Sequence, residues 1–257
     1  MKLTGSLFCG NLRQGLLSRR FPLAAAATAL LLWLPFIPAT GVMSVIDAFD
    51  FSITGGGVFV VILGILPLLP FACSYASDHK DGVVRFFIIR TGVGRYIACK
   101  FAAAVVCAMA VFLLGVFLYS GILFLTGMPF WDGLINNDFS YAQLLEQNNP
   151  WGYYLVKVFH YACSAAWFAA VGMWISSLVP DVYVTLAAPV VLYMMGLCLS
   201  VLCGVPWQYS FSMFGEGIHD MGTPQATLLF KIGITLASCL LLGWLSIQNV
   251  KRRVRHA

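Results

Sequence analysis

Charged residues are scarce in this chain. Asp, Glu, Lys and Arg make up only 10% of it, whereas an ordinary soluble domain contains about 25%. Hydrophobic residues account for 60%, and the mean hydropathy is +0.88. This composition cannot supply the polar surface of a soluble globule, so it predicts an integral membrane protein. It gives no reason to expect nucleic acid as a partner.

Sequence motifs of catalysis are also missing. We find no G-x-x-x-x-G-K-[ST] loop for nucleotide phosphates, no H-E-x-x-H pair for zinc and no G-x-S-x-G nucleophile turn. The eight cysteines include no C-x-x-C pair, and no Cys/His cluster has the spacing of a metal site. The sequence therefore predicts no catalytic, metal-binding or cofactor-binding residues, and no enzyme activity.

Long apolar segments are present instead. A helix of roughly 20 apolar residues spans the roughly 30 Å of hydrocarbon in a bilayer, and six stretches meet this requirement. They are residues 21–38, 55–75, 98–127, 154–179, 182–204 and 226–248. The sequence therefore predicts an all-helical, polytopic membrane protein with six transmembrane helices. Residues 1–257 form a single transmembrane domain in this prediction.

The basic residues lie on one side of the predicted spans. Thirteen of the fifteen Lys and Arg residues precede span one, join spans two and three, or follow span six. Positive charge marks cytoplasmic segments, so we expect cytoplasmic N and C termini. The other two, Lys157 and Lys231, are expected to extend from the outer ends of spans four and six towards water.

Few polar groups fall inside the predicted spans. All ten acidic residues map to loops or span ends, so an ion-coupled transporter has no evident carboxylate carrier. His160 and Ser164 in span four are candidates for a transport path, although a neutral histidine hydrogen-bonded between helices is the simpler interpretation. Pro67, Pro70 and Pro189 predict kinks, which are either moving parts of a transport cycle or static bends.

The loop between spans two and three has a helical pattern of its own. Asp78, Asp81 and Arg85 fall on one side of a predicted helix at residues 78–90, and Gly92 is expected to end it. The apolar surface comprises Val83, Val84, Phe86, Phe87 and Ile89. An amphipathic helix favours a docking role, whereas the basic residues alone would suffice to hold the loop in the cytoplasm.

The same loop contains a longer pattern, in which an acidic residue precedes a glycine, two arginines and the sequence G-x-G-R-Y before span three. Its positions are Asp78, Gly82, Arg85, Arg90, Arg95, Tyr96 and Lys100. This pattern resembles that of the permease subunits of type 2 ATP-binding cassette (ABC) exporters. Residues 4–20 likewise resemble the interfacial amphipathic helix of that family.

The resemblance implies a permease that binds no cofactor itself. Two such subunits, identical or different, would dimerise in the bilayer of a bacterial cytoplasmic membrane, and separate ATPase subunits would bind ATP. The implied cargo is a hydrophobic, amphipathic or peptide-like molecule. Residues 78–90 would be the coupling helix that docks on the ATPase. The coupling residues implied are Asp78, Asp81, Gly82, Arg85, Phe86, Phe87 and Arg90.

Two other functions stay open on the sequence. A secondary transporter or channel would need no ATPase partner, and an intramembrane hydrolase would use Ser164 with His160. The segment from Gly204 to Gln225 is rich in glycine and aromatic residues. It suits the partly re-entrant segment that the exporter family has between its last two spans.

Overall fold

The computed structural model describes residues 2–36, 44–54, 59–133, 140–206 and 209–255, apart from the side chains of residues 2–4, 36, 54 and 85. All regular secondary structure in these ranges is helical, which confirms the predicted all-helical class. The helices are α1 (Lys2–Leu16), α2 (Arg20–Phe36), α3 (Val45–Thr54), α4 (Phe59–Gly64), α5 (Ser74–Lys80), α6 (Val84–Thr91), α7 (Val93–Leu125), α8 (Ala142–Glu146), α9 (Pro150–Leu178), α10 (Val182–Leu202) and α11 (Pro224–Arg255), with 3₁₀ turns at Leu66–Leu68 and Phe211–Phe214.

Four of these helices, α7, α9, α10 and α11, are long and apolar enough to cross a membrane. A fifth crossing results if α1 and α2, which meet at an angle of 53°, count as one bent span. The structure is therefore compatible with a multi-pass membrane protein that has four or five such helices. The expected six spans, and the side on which the termini lie, stay predictions.

The predicted second span, residues 55–75, is not one continuous helix. Helix α4 ends at Gly64, a 3₁₀ turn follows, and helix resumes only at Ser74; residues 55–58 lie outside the described ranges. Pro67 and Pro70 explain the interruption, because proline has no N–H group for the helical hydrogen bond. Both prolines are buried, so the irregular backbone packs inside the protein, where such backbone is tolerated.

Helix α9 is the centre of the bundle and packs against α7, α10 and α11. Its buried surface is rich in small side chains, and the alanines at positions 162, 165, 166, 169 and 170 are all buried. Small residues let helices approach closely, and the van der Waals contacts made at close approach stabilise helix association in a bilayer. The predicted span four is therefore an interior helix that other helices surround.

The interior has two packed regions. The first includes the aromatic side chains of Phe49, Tyr154, Tyr161, Phe168 and Tyr193. The second includes Phe71, Tyr75, Tyr96, Phe101 and Val250. We call the end of the molecule near the second region the basic end, because α6, the first turn of α7 and the last turns of α11 meet there and contain Arg90, Arg95 and Arg252.

Candidate functional site

The predicted helix at residues 78–90 is two helices in the structure. Helix α5 ends at Lys80 and α6 begins at Val84. Gly82 has a φ of +70°, and its N–H group donates to the His79 carbonyl, while the N–H group of Val83 donates to the Asp78 carbonyl. This is a Schellman ending, which favours glycine at the left-handed position. The expected single helix is therefore wrong.

This break separates the acidic and apolar parts of the predicted helix. Asp78 belongs to α5 and Asp81 is exposed in the turn, so neither is on α6. Asp81 and Arg85 are also four residues apart, a spacing that predicts an ion pair on a helix, but this pair lies outside what the structure describes, because the Arg85 side chain is among the undescribed ones. The candidate coupling helix is thus the shorter segment α6.

Helix α6 presents an apolar surface on the outside of the protein at the basic end. The Phe86 and Ile89 side chains are 71% and 82% exposed, whereas Val84 is buried. Arg90 is exposed beside them. Large apolar side chains grouped on one outward face indicate a contact surface for another protein or for the membrane, because surfaces that stay in water rarely group such side chains.

The inner side of α6 is held against α7. The Phe87 ring stacks on the Tyr96 ring with centroids 5.6 Å apart and planes at 13°. Gly92, with a φ of +79°, forms the turn between the two helices, as the sequence predicts. A displacement of α6 would therefore act directly on the first turn of α7.

Asp78, Tyr96 and Lys100 form a polar cluster beneath α6. The Lys100 Nζ atom lies 2.5 Å from Asp78 Oδ2 and 3.1 Å from the carbonyl oxygen of Ser74. The Tyr96 hydroxyl donates to the same carboxylate at 2.5 Å. Lys100 is buried, so its charge depends on this partner. Three positions of the exporter-like pattern therefore meet, and they join α5 to α7.

Helices α1 and α11 complete the surroundings of α6. A small cavity beside the cluster is bordered by Asn11 and Gln14 of α1 together with Asp78 and Tyr96. A second cavity lies between α6 and the last turns of α11, where it is lined by Ile88 and Arg253. Elements from both ends of the sequence therefore converge on α6.

The candidate path residues His160 and Ser164 hold the loop that precedes α11. Ser164 Oγ donates to the Gly215 carbonyl at 2.6 Å, and His160 Nε2 lies 3.3 Å from the Gly217 carbonyl. Since a carbonyl only accepts, Nε2 carries the proton, and His160 Nδ1 accepts from the Tyr141 hydroxyl at 3.0 Å. Ser164 and His160 thus bind two different carbonyls and do not form a nucleophile–base pair.

Lys231 also binds this loop. Its Nζ atom lies 2.6 Å from the Met213 carbonyl oxygen and 3.2 Å from that of Gly215. The side chain is 3% exposed, so the expectation that Lys231 extends to water is wrong. The cost of burying the ammonium group is offset by carbonyl oxygens that the 3₁₀ turn at Phe211–Phe214 and the following glycines direct towards it.

Lys157 is buried as well, and the expectation that it reaches water is wrong for the same reason. Its Nζ atom lies 2.7 Å from Asp50 Oδ1 and 2.6 Å from the Tyr153 hydroxyl. Tyr153 in turn donates to Asp50 Oδ2 at 2.7 Å. Sequence reasoning assigned Asp50 to an outer loop; the structure places it on the short helix α3, which packs against α2 and α7 and brings Asp50 to Lys157.

The three candidate kink residues are packed rather than open to a channel in this conformation. Pro67 and Pro70 lie in the irregular segment described above. Pro189 is buried within α10, next to Gly172 of α9, where an added Cβ atom would lie 2.9 Å from a Leu68 methyl group. These prolines therefore shape close helix contacts, and any opening of a path needs the helices to separate.

A scan against protein-family models, a search of curated proteins and a search of solved structures gave no match to this chain.

Proposed function

We propose that the chain is the membrane-spanning permease subunit of an ATP-driven exporter, with α6 as its coupling helix. The observation that carries this proposal is the construction of α6. Two glycine turns isolate the helix, Phe86 and Ile89 face outward, and Phe87 packs on α7. Phe86 and Ile89, with Arg90 beside them, offer an ATPase subunit an apolar contact with a basic rim.

The polar cluster suggests how movement of α6 reaches the membrane region. Asp78 lies on α5, and Tyr96 and Lys100 lie on α7. Because the carboxylate binds both α7 side chains, α5 and α7 move together when α6 is displaced. Helix α5 continues the irregular segment around Pro67 and Pro70, so the movement passes into a part of the bundle where the α-helix is interrupted.

In this proposal ATP is bound by a separate ATPase subunit. A second permease subunit, identical or different, completes the transport path in a bacterial cytoplasmic membrane, with both termini inside. The cargo is a hydrophobic, amphipathic or peptide-like molecule. The coupling contacts come from Phe86, Phe87, Ile89 and Arg90 of α6, while Asp78, Asp81 and Gly82 fix the position of that helix; Arg85 is assigned to it by sequence alone.

The experiment isolates the chain with its ATPase from native membranes, reconstitutes the complex in lipid and measures ATP hydrolysis stimulated by transport. A Phe86→Ala/Ile89→Ala variant is expected to lower the stimulated rate about tenfold, which corresponds to ~1.4 kcal/mol of lost coupling. The matched control is Leu125→Ala/Leu202→Ala, which removes two apolar side chains of similarly high exposure from the ends of α7 and α10. Equal rates in both variants, or isolation without any ATPase, contradict the proposal.

A secondary transporter is the second candidate, and the buried lysines Lys157 and Lys231, with the half-buried partner Asp50 of Lys157, favour it. Ionisable side chains inside membrane helices often belong to an ion or substrate path. Such a transporter would move its substrate in vesicles that contain this chain alone. Substrate flux without an ATPase partner, abolished by Lys231→Met, would support this candidate over the exporter.

A further inference from the structure

An apolar groove runs between α7 and α11 on the outside of the bundle. It has a volume of about 460 Å³ and is lined by Ala98, Phe101 and Ala102 of α7 and by Leu240, Gly243 and Trp244 of α11. Gly243 makes the groove deep, because an added Cβ atom there would come within 3.4 Å of the Phe101 ring. The small residues that line the groove therefore leave an open space between the two helices.

The length of the groove matches one leaflet of a bilayer. Along α11 its lining extends from Ile247 to Leu236, which is roughly 16 Å at 1.5 Å per residue. The hydrocarbon of one leaflet is about half of 30 Å. The groove begins at the basic end of both helices and stops about halfway along each of them.

Two basic residues continue the same helix faces at the mouth of the groove. Arg95 lies three residues before Ala98 on α7, and Lys251 lies four residues after Ile247 on α11, so each is one turn beyond the apolar lining. Both side chains are exposed, and neither forms an ion pair with any residue that the structure describes. Trp244 is 57% exposed at the edge of the groove.

We propose that this groove binds one anionic phospholipid, with an acyl chain between α7 and α11 and the phosphate between Arg95 and Lys251. The apolar lining excludes a polar ligand, and two unpaired cations at the leaflet surface select a negatively charged headgroup. This site is distinct from α6 and from the polar cluster at Asp78. Binding would fix the spacing of the two helices whose basic ends adjoin α6.

The test measures quenching of Trp244 fluorescence by brominated lipid. The purified, delipidated chain is titrated in detergent with brominated phosphatidylglycerol or brominated phosphatidylcholine, and the Trp244→Phe variant supplies the signal of the other tryptophans. Each Lys or Arg contributes roughly a factor of five to binding of an anionic lipid. We therefore expect Arg95→Gln/Lys251→Gln to lower the affinity for phosphatidylglycerol about 25-fold, to that for phosphatidylcholine.

The matched control is Arg19→Gln/Arg252→Gln, which removes the same charge from two other exposed positions at the basic end and should retain the preference for phosphatidylglycerol. A Gly243→Leu variant fills the groove and should reduce quenching by both lipids. Equal affinity for the two lipids in the unmodified chain overturns the proposal, as does an equal loss in the control. A dimer that shields Trp244 from both lipids also overturns it, because a second copy then covers the groove.

Discussion

At the scale of single residues, three lysine side chains are buried in the interior of the protein. Lys100, Lys157 and Lys231 are all less than 5% exposed, and each is neutralised or solvated by oxygen atoms of the protein. A buried ion pair adds little net stability compared with a well-packed apolar pair, but the loss of one partner is costly. These lysines therefore fix which segments are neighbours.

Removing the charge of Lys157 should destabilise the protein strongly. Lys157→Met leaves the Asp50 carboxylate without its cation, and we expect a loss of about 3 kcal/mol in the free energy of unfolding. The measurement is denaturant unfolding in detergent micelles. Asp50→Asn/Lys157→Met should recover most of the loss, while Lys80→Met, at an exposed position, should have little effect. If the double variant is no more stable than the single one, the pair is not the cause.

The Asp47 carboxyl should make stability depend on pH. Burial raises its pKa, and the nearby Asp132 and Asp50 carboxylates raise it further, while the hydrogen bond from Ser44 opposes them. The folded protein therefore binds this proton more tightly than the unfolded chain, and stability falls as the pH rises from the ordinary pKa of 3.8 through the raised value. Asp47→Asn should raise the Tm at pH 7 but not at pH 3.5; a similar rise at both values would contradict this.

At the scale of elements, α6 depends on the two glycine turns that bound it. A helix of eight residues is too short to be stable alone. Its position comes from the Schellman ending at Gly82, the turn at Gly92 and the ring stacking of Phe87 on Tyr96. A glycine turn therefore bounds this helix at each end, and the stacked rings attach it to α7.

Alanine at Gly82 should test this dependence. The left-handed φ of +70° at Gly82 is unfavourable for residues with a Cβ atom, so Gly82→Ala should cost about 1 kcal/mol. Gly94→Ala is the matched control, because Gly94 lies in the first turn of α7 with open space around it and should be neutral or stabilising. Thermal unfolding of both variants in one detergent gives the comparison. An equal Tm for the two would show that alanine at position 82 is not strained and would contradict the prediction.

At the scale of the whole molecule, the interior consists of one nearly buried helix with others around it. Helix α9 takes this place because its alanines and serines accept close neighbours, while α10 and α11 keep apolar side chains such as Leu199, Leu240 and Leu241 outward. Exposed apolar faces of this length suit contact with lipid or with other membrane helices. Apolar faces of this size are stable against lipid, whereas soluble proteins rarely expose them to water.

The distribution of basic residues predicts that Lys80 and Glu146 lie on opposite sides of the membrane. Both are exposed, so Lys80→Cys and Glu146→Cys should react readily with a maleimide that cannot cross membranes. The exposed Cys9, Cys198 and Cys203 are first replaced by serine. In intact cells only the cysteine at position 146 should react, and the one at position 80 should react after permeabilisation. Labelling of both in intact cells would overturn the predicted orientation.

The amino-acid sequence by itself determined the class of the protein and the position of its longest helices. Predicted spans at 98–127, 154–179, 182–204 and 226–248 correspond to α7, α9, α10 and α11, because a run of apolar residues is a local property. The glycine at position 92 likewise ended a helix as predicted. These features need no knowledge of neighbouring segments.

Only the tertiary structure decided which residues meet. Asp78 joins Lys100, and Asp50 joins Lys157, across 22 and 107 residues of sequence. The loop carbonyls near Gly215 become a binding site for Lys231 only when α9 and α11 pack together. A charged side chain can reach solvent or be buried with a partner, and the local sequence is the same in both cases. The choice depends on the free energy of contacts between distant segments, which hydropathy and spacing do not contain.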